Sequence, residues 1–495
     1  HFHENKGFLQ GGGLALAVSH SGVQVFNCNF SSNYALDGGA LSLYSYNGVD
    51  SLQNGGFPHE YGMSVNISRF SSNFASNDGG AIYSLNTNAL VVANSEFASN
   101  LAANAGGGTY LGSSSEVLIK NSTFSRNRAS KGGGLDIKGN SQLTVDSCVV
   151  ADNVASSTGG GLYLVSLSKL VFQGGIRIVN NRARSSGGGI FMQNTRAWTA
   201  SPSSSSSSSP SSLSVPFELE LTGNNATWGS AVFFNASSST TQRGGRLTSM
   251  TIFSNTALSG GTIFWVAQER EASVALNVDD PTNTWGGNAA AYGVQVATQV
   301  VKFAGIPKNV SIPSSPDIIS PLVFTLRDYY NQQVRQNASI VSTKVVSSIC
   351  EMNLPSYANS SGSQPVNSGV ANFSSVLARC TPGGSMVVQF STPTQVLNTL
   401  HAEVGYTFEG CNAGDTYVQG TCTPCPEGGF NLAYSTKNTA SCTSCSNIVG
   451  VLSCSGNDLM LEPGYWRQSA QTSSVQPCQQ QGRNRNCMGG TTTGD

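Results

Sequence analysis

Charge is scarce in this 495-residue chain: Lys, Arg, Asp and Glu make up 10% of it, and the formal net charge is -1. So even a balance leaves no basic footprint for nucleic acid and no acidic tail, and the surface must be built from Ser, Thr, Asn and Gly. No apolar run is long enough to span a bilayer, and no signal-like apolar stretch stands near the start. Heptads are absent and strong helix formers few, which excludes a helical repeat. The five histidines show no ligand spacing and the acids are scattered, so neither a metal nor a cofactor is expected.

What is present in quantity is glycine, 56 residues of it, inside a recurring phrase. An apolar residue, two variable residues, Asn, one residue and Ala lead to a Gly-Gly pair and then a strand. The asparagines are Asn33, Asn73, Asn100, Asn127, Asn153, Asn181, Asn224, Asn255 and Asn288, each followed two residues later by alanine. The strand openers after the glycines are Leu14, Leu41, Ile82, Thr109, Leu135, Leu162, Ile190, Val232 and Ile263, separated by 27, 41, 27, 26, 27, 28, 42 and 31 residues. A period in the twenties holding three short alternating runs predicts one coil of a parallel β-helix. Stacked coils place one residue type at one position every ~4.8 Å. Asparagines can then form an amide ladder, alanine fits the inside of a corner, and glycine supplies angles that a side chain forbids. Leu162 and Leu164, or Ile190 and Met192, alternate with outward neighbours and face the core.

Phe30-Ser-Ser-Asn33, Phe70-Ser-Ser-Asn73, Phe97-Ala-Ser-Asn100 and Phe124-Ser-Arg-Asn127, with Gly38-Gly39-Ala40-Leu41 and Gly79-Gly80-Ala81-Ile82, resemble the FxxN and GGA[ILV] motifs of chlamydial polymorphic outer-membrane proteins. Similar repeats occur in large eukaryotic surface proteins. The resemblance covers about residues 1 to 295 and implies a right-handed β-helix displayed outside the cell for adhesion. A cysteine-rich tail stands where an autotransporter has its membrane barrel. Phe2-His-Glu-Asn5 already lies in the repeat register, so the chain is expected to begin partway through a longer helix.

Three domains are expected: the helix over 1–298, an immunoglobulin-like β-sandwich over 299–408, and a cysteine-rich module over 409–495. Leu322-Val-Phe-Thr-Leu326 and Met386-Val-Val-Gln-Phe390 alternate between turns, as sandwich strands do. Leu326-Arg-Asp328-Tyr-Tyr330-Asn331 resembles a turn of filamin-like immunoglobulin-type domains. Cys350 and Cys380 would form a staple in an oxidising compartment. Cys411, Cys422, Cys425, Cys442, Cys445, Cys454, Cys478 and Cys487 surround too little apolar sequence to fold without cross-links. Disulfides are the expected reading; a zinc ribbon through Cys422-x2-Cys425 and Cys442-x2-Cys445 is the alternative. The stretch from Cys411 to Cys425-Pro-Glu-Gly resembles EGF-like, ephrin-receptor-type modules. Pro463-Gly-Tyr-Trp-Arg467 with Cys478 and Cys487 resembles the membrane-proximal part of large eukaryotic β-helix proteins, so membrane attachment is implied only through segments beyond this chain. Cys28 and Cys148 occupy a column held elsewhere by Ser68, Ser95 and Ser122, four coils apart and too distant to bridge; they are expected as small buried thiols.

Nine sequons mark expected N-glycosylation sites at Asn29, Asn66, Asn121, Asn225, Asn235, Asn309, Asn337, Asn359 and Asn372. Insertions near 44–63 and 195–215 are expected to leave from one corner after the same strand, a frequent binding face of solenoids. The first holds Tyr44, Tyr46, Phe57, His59, Glu60 and Tyr61, and the second Ser203 to Ser209. The outward residues beside the strand openers are Tyr83, Tyr110, Asp136, Tyr163, Phe191, Phe233 and Phe264. The six aromatics would form an external ribbon, a candidate surface for protein or glycan, and otherwise serve as cross-strand packing. Many β-helices are polysaccharide lyases or hydrolases, but the best carboxylate pair, Asp37 and Asp78, suits a turn cap better than catalysis. The chain thus reads as an extracellular structural or adhesive glycoprotein of a cell surface or fibre, with self-association, other extracellular proteins and glycans as partners. A receptor ectodomain and a polysaccharide-active enzyme are the alternatives.

Overall fold

A computed structural model describes residues 1–18, 22–45, 62–87, 89–114, 116–139, 142–195, 198–201, 218–236, 249–267, 280–312, 322–335, 340–348, 351–353, 363–373, 377–394, 399–419, 421–435, 440–478 and 489–490. Two compact units emerge, one of His1–Val300 with Asp328–Gln336, the other of Val301–Arg327 with Asn337–Asp495. Among the described residues no helix is long and apolar enough to cross a membrane.

The first unit is a parallel β-helix of ten coils. Its strands stack into sheets of ten, ten, seven and nine members, always pairing with the coil before and after. One coil, for example, contributes Glu116–Lys120, Thr123–Ser125, Arg128–Lys131 and Leu135–Lys138. Because successive coils pair in register, Phe97 lies opposite Phe124 and Phe70. Their rings stack inside the core, with centroids 4.8 Å apart for Phe70–Phe97 and 4.5 Å for Phe97–Phe124. Ala75, Ala102, Ala129, Ala155, Ala183 and Ala226 fill the next inward column and are all buried.

The asparagines form one ladder from Asn5 to Asn288, buried from Asn33 to Asn255. In each rung the side-chain amide donates to the carboxamide oxygen of the next coil, 3.0 Å from Asn127 to Asn153 and 3.0 Å from Asn153 to Asn181. The same oxygen accepts a second bond from the backbone N–H, as from Asn127 to Asn153 at 2.9 Å. The other amide hydrogen goes to a main-chain carbonyl of the preceding coil, as from Asn153 to Phe124 at 2.9 Å. Two donors and two acceptor sites are therefore satisfied without water, which only an amide of this length can do here. A lesser ladder runs through Ser68, Ser95 and Ser122, each hydroxyl donating to the carbonyl two residues earlier. Cys148 makes the same contact to Asp146 and is buried, whereas Cys28 is only partly so; both thiols are free. Burial pushes the Cys148 thiol up to about 11, which suppresses its thiolate.

The Asp328–Tyr330 turn, expected within the sandwich, belongs to the helix unit, because it satisfies the backbone of the last coil. Strand Val296–Thr298 would otherwise end with unpaired polar groups. Thr298 N–H donates to Asp328 Oδ2 at 3.2 Å, and Gln332 Nε2 donates to the Val296 carbonyl at 2.9 Å. The Tyr292 hydroxyl donates to the Thr298 carbonyl at 2.8 Å. The Tyr329 and Tyr330 rings pack on Trp265 at 5.4 and 6.2 Å, and the indole N–H donates to the Tyr330 oxygen at 3.2 Å.

The second unit begins with two facing sheets. Lys302–Ala304, Leu322–Arg327 and Val370–Phe373 form one. The other orders Asn309–Ile312, Thr399–Phe408, Ser385–Pro393, Ile340–Ser348 and Ser363–Pro365. They meet through Phe324 and Phe373, which lie 5.5 and 5.1 Å from Phe390. The cysteine-rich part follows as four two-stranded ribbons around a core as small as Phe430, Cys445, Cys454 and Leu459. Bonds Cys411–Cys422, Cys425–Cys442 and Cys445–Cys454 hold it. Each C-x2-C pair is thereby split between two bridges, which consumes the thiolates a zinc ribbon would need. Cys380 and Cys478 are also disulfide-bonded; Cys350 and Cys487 lie outside the described residues.

Candidate functional site

The aromatic column lies on the strands that follow the glycine corners. Tyr83 pairs with Tyr110, Tyr110 with Asp136, Asp136 with Tyr163, then Phe191, Phe233 and Phe264 in turn. Ring centroids are 5.2 Å apart for Tyr83–Tyr110, 4.8 Å for Tyr163–Phe191, 5.2 Å for Phe191–Phe233 and 5.6 Å for Phe233–Phe264, all within 10° of parallel.

Stacking changes what this column can do. Except across the Asp136 rung, which carries no ring, the facing sides of successive rings are taken by their neighbours, so edges remain rather than a flat platform. Exposure is also uneven: Tyr83 and Tyr110 are half-buried, whereas Tyr163, Phe191, Phe233 and Phe264 are 8, 7, 6 and 0% exposed. The expectation of an external ribbon along the whole column is corrected accordingly. The cause is the glycine corner. Gly159, at φ +67, folds the chain back so closely that a Cβ there would stand 2.8 Å from the Tyr163 Cβ. Gly160 has its Cβ position against the Gly188 carbonyl. The folded-back segment walls the column with Lys131, Thr158, Ser186 and Trp228, which lie in register, and Trp228 packs on Phe264 at 5.1 Å.

One rung holds no ring. Asp136 is fully buried, and neither of its carboxylate oxygens accepts a well-formed hydrogen bond among the described residues. Its counter-charge is Lys138, whose Nζ lies 3.2 Å from Oδ2 in ion-pair contact. That Nζ stands 5.0 Å from the Tyr110 centroid and 5.5 Å from that of Tyr163, while Lys131 Nζ is 5.9 Å from Tyr163. Neither lysine was expected at the site, although Lys138 follows Asp136 by two residues on one strand and so shares its outward face.

Two more carboxylates act on the open end of the column. Asp37 Oδ1 accepts from Asn77 Nδ2 at 2.9 Å and Asp78 N–H at 3.2 Å, and Asp78 Oδ1 accepts from Asn104 Nδ2 at 2.9 Å. Both acids thus tie successive corners. Burial and then the Asp37 charge push the Asp78 carboxyl up. Burial, with Asp136 and Asp78 next in weight, pushes the Tyr110 phenol up. Among the described residues, no group of three or more His, Cys, Asp or Glu has a metal-holding arrangement.

Burial also pushes the Asp136 carboxyl up from 3.8 to about 7, against the opposing pull of Lys138. A carboxyl raised on folding favours the folded state fully below the lower value, and that contribution is lost as pH rises through the upper one. The melting temperature should therefore carry a component that falls between roughly pH 4 and 7, absent from Asp136→Asn. Parallel pH profiles for the two proteins would contradict this.

The other sequence-derived sites are scattered. Asn121, Asn309 and Asn372 are exposed. Asn66 and Asn225 are half-buried, with Asn66 Oδ1 accepting from Asn94 Nδ2 at 2.9 Å. The carboxamide oxygens of Asn29 and Asn235 are buried without a partner among the described residues. Asn337 and Asn359 lie outside the described residues, as do Tyr46, Phe57, His59, Glu60, Tyr61 and 203–209. Tyr44 is the penultimate residue of strand Leu41–Ser45. The second insertion does not leave where the first does. Trp198–Ser201 forms a strand paired with 170–173, so the insertion follows that strand, one sheet later.

A family model described as right handed beta helix region matches residues 60–208, and the coils are accordingly right-handed. No curated protein and no solved structure matches the chain.

Proposed function

We propose that this chain is an extracellular structural or adhesive glycoprotein, acting through the repeated outer surface of its right-handed β-helix. The observation that carries the reading is the use of chemistry along the coils. Amide, ring and carboxylate side chains are spent on joining coil to coil, and the half-buried Tyr83 and Tyr110 end of the column is what a partner can reach. Three disulfides in so small a core support an oxidising compartment, where the exposed sequons Asn121, Asn309 and Asn372 would carry glycans. The polymorphic outer-membrane protein type of repeat and an EGF-like cysteine module belong to the same proposal, with self-association or another extracellular protein as partner.

Right-handed β-helices also include polysaccharide-degrading enzymes. The carboxylates at this site argue for a non-catalytic role, because Asp37 and Asp78 are held by corner amides and Asp136 by Lys138. The test is association of the secreted chain, followed by light scattering and electron micrographs. Tyr83→Ser with Tyr110→Ser should abolish it while leaving the melting temperature within a few degrees. Unchanged association removes this surface from the proposal, and release of reducing ends from a polysaccharide panel overturns the non-catalytic reading.

A further inference from the structure

The gap in the ring column has the shape of a site. Tyr110 and Tyr163 are two rungs apart, roughly 9–10 Å at the spacing of paired strands, and each turns one unstacked face toward the other. Asp136 forms the floor, buried and with Oδ1 lacking a donor among the described residues. The Lys138 ammonium stands between the two faces, 5.0 and 5.5 Å from the centroids. A cation held by ring faces over a carboxylate is how proteins recognise organic ammonium groups. A ring at this position would have continued the stack, whereas a buried ion pair brings a desolvation cost that its attraction often fails to recover. Departures of this kind from an otherwise consistent pattern concentrate at functional sites.

We propose that the missing rung is a binding slot for an organic ammonium group, with Lys138 as its tethered and displaceable occupant. The Lys138 side chain is 32% exposed, so it has a route to solvent when another cation takes its place. A trimethylated nitrogen matches a space about twice the ring-stacking distance. Its methyl groups meet the Tyr110 and Tyr163 faces, and its charge meets Asp136. The Asp37 and Asp78 carboxylates, whose charges reach Tyr83 and Tyr110, favour a cation at the entrance. The slot is separate from the association proposed above, since it uses ring faces and not the outer edges of Tyr83 and Tyr110.

The probe is tetramethylammonium chloride, with sodium chloride at equal ionic strength as control. In the wild-type chain, tetramethylammonium should expel Lys138 and raise its labelling by an amine-reactive reagent several-fold, read by peptide mass spectrometry, with other lysines unaffected. Lys138→Ala should bind the probe at least tenfold more tightly than wild type, and its melting temperature should rise with tetramethylammonium but not with sodium. Lys138→Ala combined with Asp136→Asn should lose that response. Equal labelling of Lys138 in the two salts overturns the proposal even if the Lys138→Ala chain fails to fold, and leaves the association test untouched.

Discussion

Replacing Asn153 by alanine should lower the unfolding free energy of the β-helix by roughly 3–6 kcal/mol, counting about 1–3 kcal/mol for each buried polar group left unpaired. The substitution orphans the Asn127 backbone N–H and one hydrogen of its side-chain amide, which both donate to Asn153 Oδ1. It also removes the donor to the Phe124 carbonyl and to Asn181 Oδ1. No solvent reaches these groups, since Asn127, Asn153 and Asn181 are all fully buried. Asn104→Ala is the matched control: the Asn104 side-chain amide also donates to a neighbouring coil, at Asp78 Oδ1, but the contact is exposed, so its loss should stay within about 0.5 kcal/mol. Denaturant titrations followed by circular dichroism would decide. Equal costs for the two substitutions would show that the buried ladder is not what joins the coils.

Lys138→Met should be the second large effect, and it should depend on pH. Breaking a buried ion pair by removing one partner costs roughly 3–5 kcal/mol, and the lower end applies because Lys138 is partly exposed. At high pH the variant must keep an uncompensated Asp136 carboxylate between two tyrosine rings. Lys138 holds that carboxyl down against the effect of burial, so its loss raises the carboxyl further, and the penalty should shrink as pH falls and the carboxyl takes up a proton. Asp136→Tyr should do the reverse. It places a ring in register with Tyr110 and Tyr163, releases Lys138 to water, and should stabilise the chain by about 1–4 kcal/mol, the range seen when buried ion pairs give way to packed apolar groups. A Lys138→Met protein as stable as wild type at pH 8 would remove the account of the pair.

How much of this was legible beforehand depends on whether a residue's role is set by its own coil. Asn, Phe and Ala recur once per coil, and a solenoid turns a sequence period directly into a spatial column, so the ladder from Asn33 to Asn288 and the pairing of Tyr83 with Tyr110 could be read off. Burial of Phe191 and Phe233 could not, because it depends on the angle that the chain takes at Gly159 and its equivalents. The role of Asp328–Gln336 was hidden for another reason. It meets Val296 and Trp265 across sequence separations of 36 and 65 residues, and no local pattern announces a contact of that range. Cysteine pairing was equally closed, since eight cysteines allow 105 connectivities and the C-x2-C spacing pointed to partners that the fold does not join.

The cap over the tenth coil bears on how this molecule can be taken apart. The chain crosses between the two units at Val300, at Arg327 and again at Gln336, so a cut at the first apparent boundary does not yield a finished piece. A fragment ending at Val300 would keep Trp265 and the Val296–Thr298 strand yet leave behind Asp328, Tyr330 and Gln332, baring hydrogen-bonding groups and an indole that invite pairing with a second molecule. During synthesis the same nakedness lasts until some thirty further residues have left the ribosome, so closure of that end is necessarily a late event.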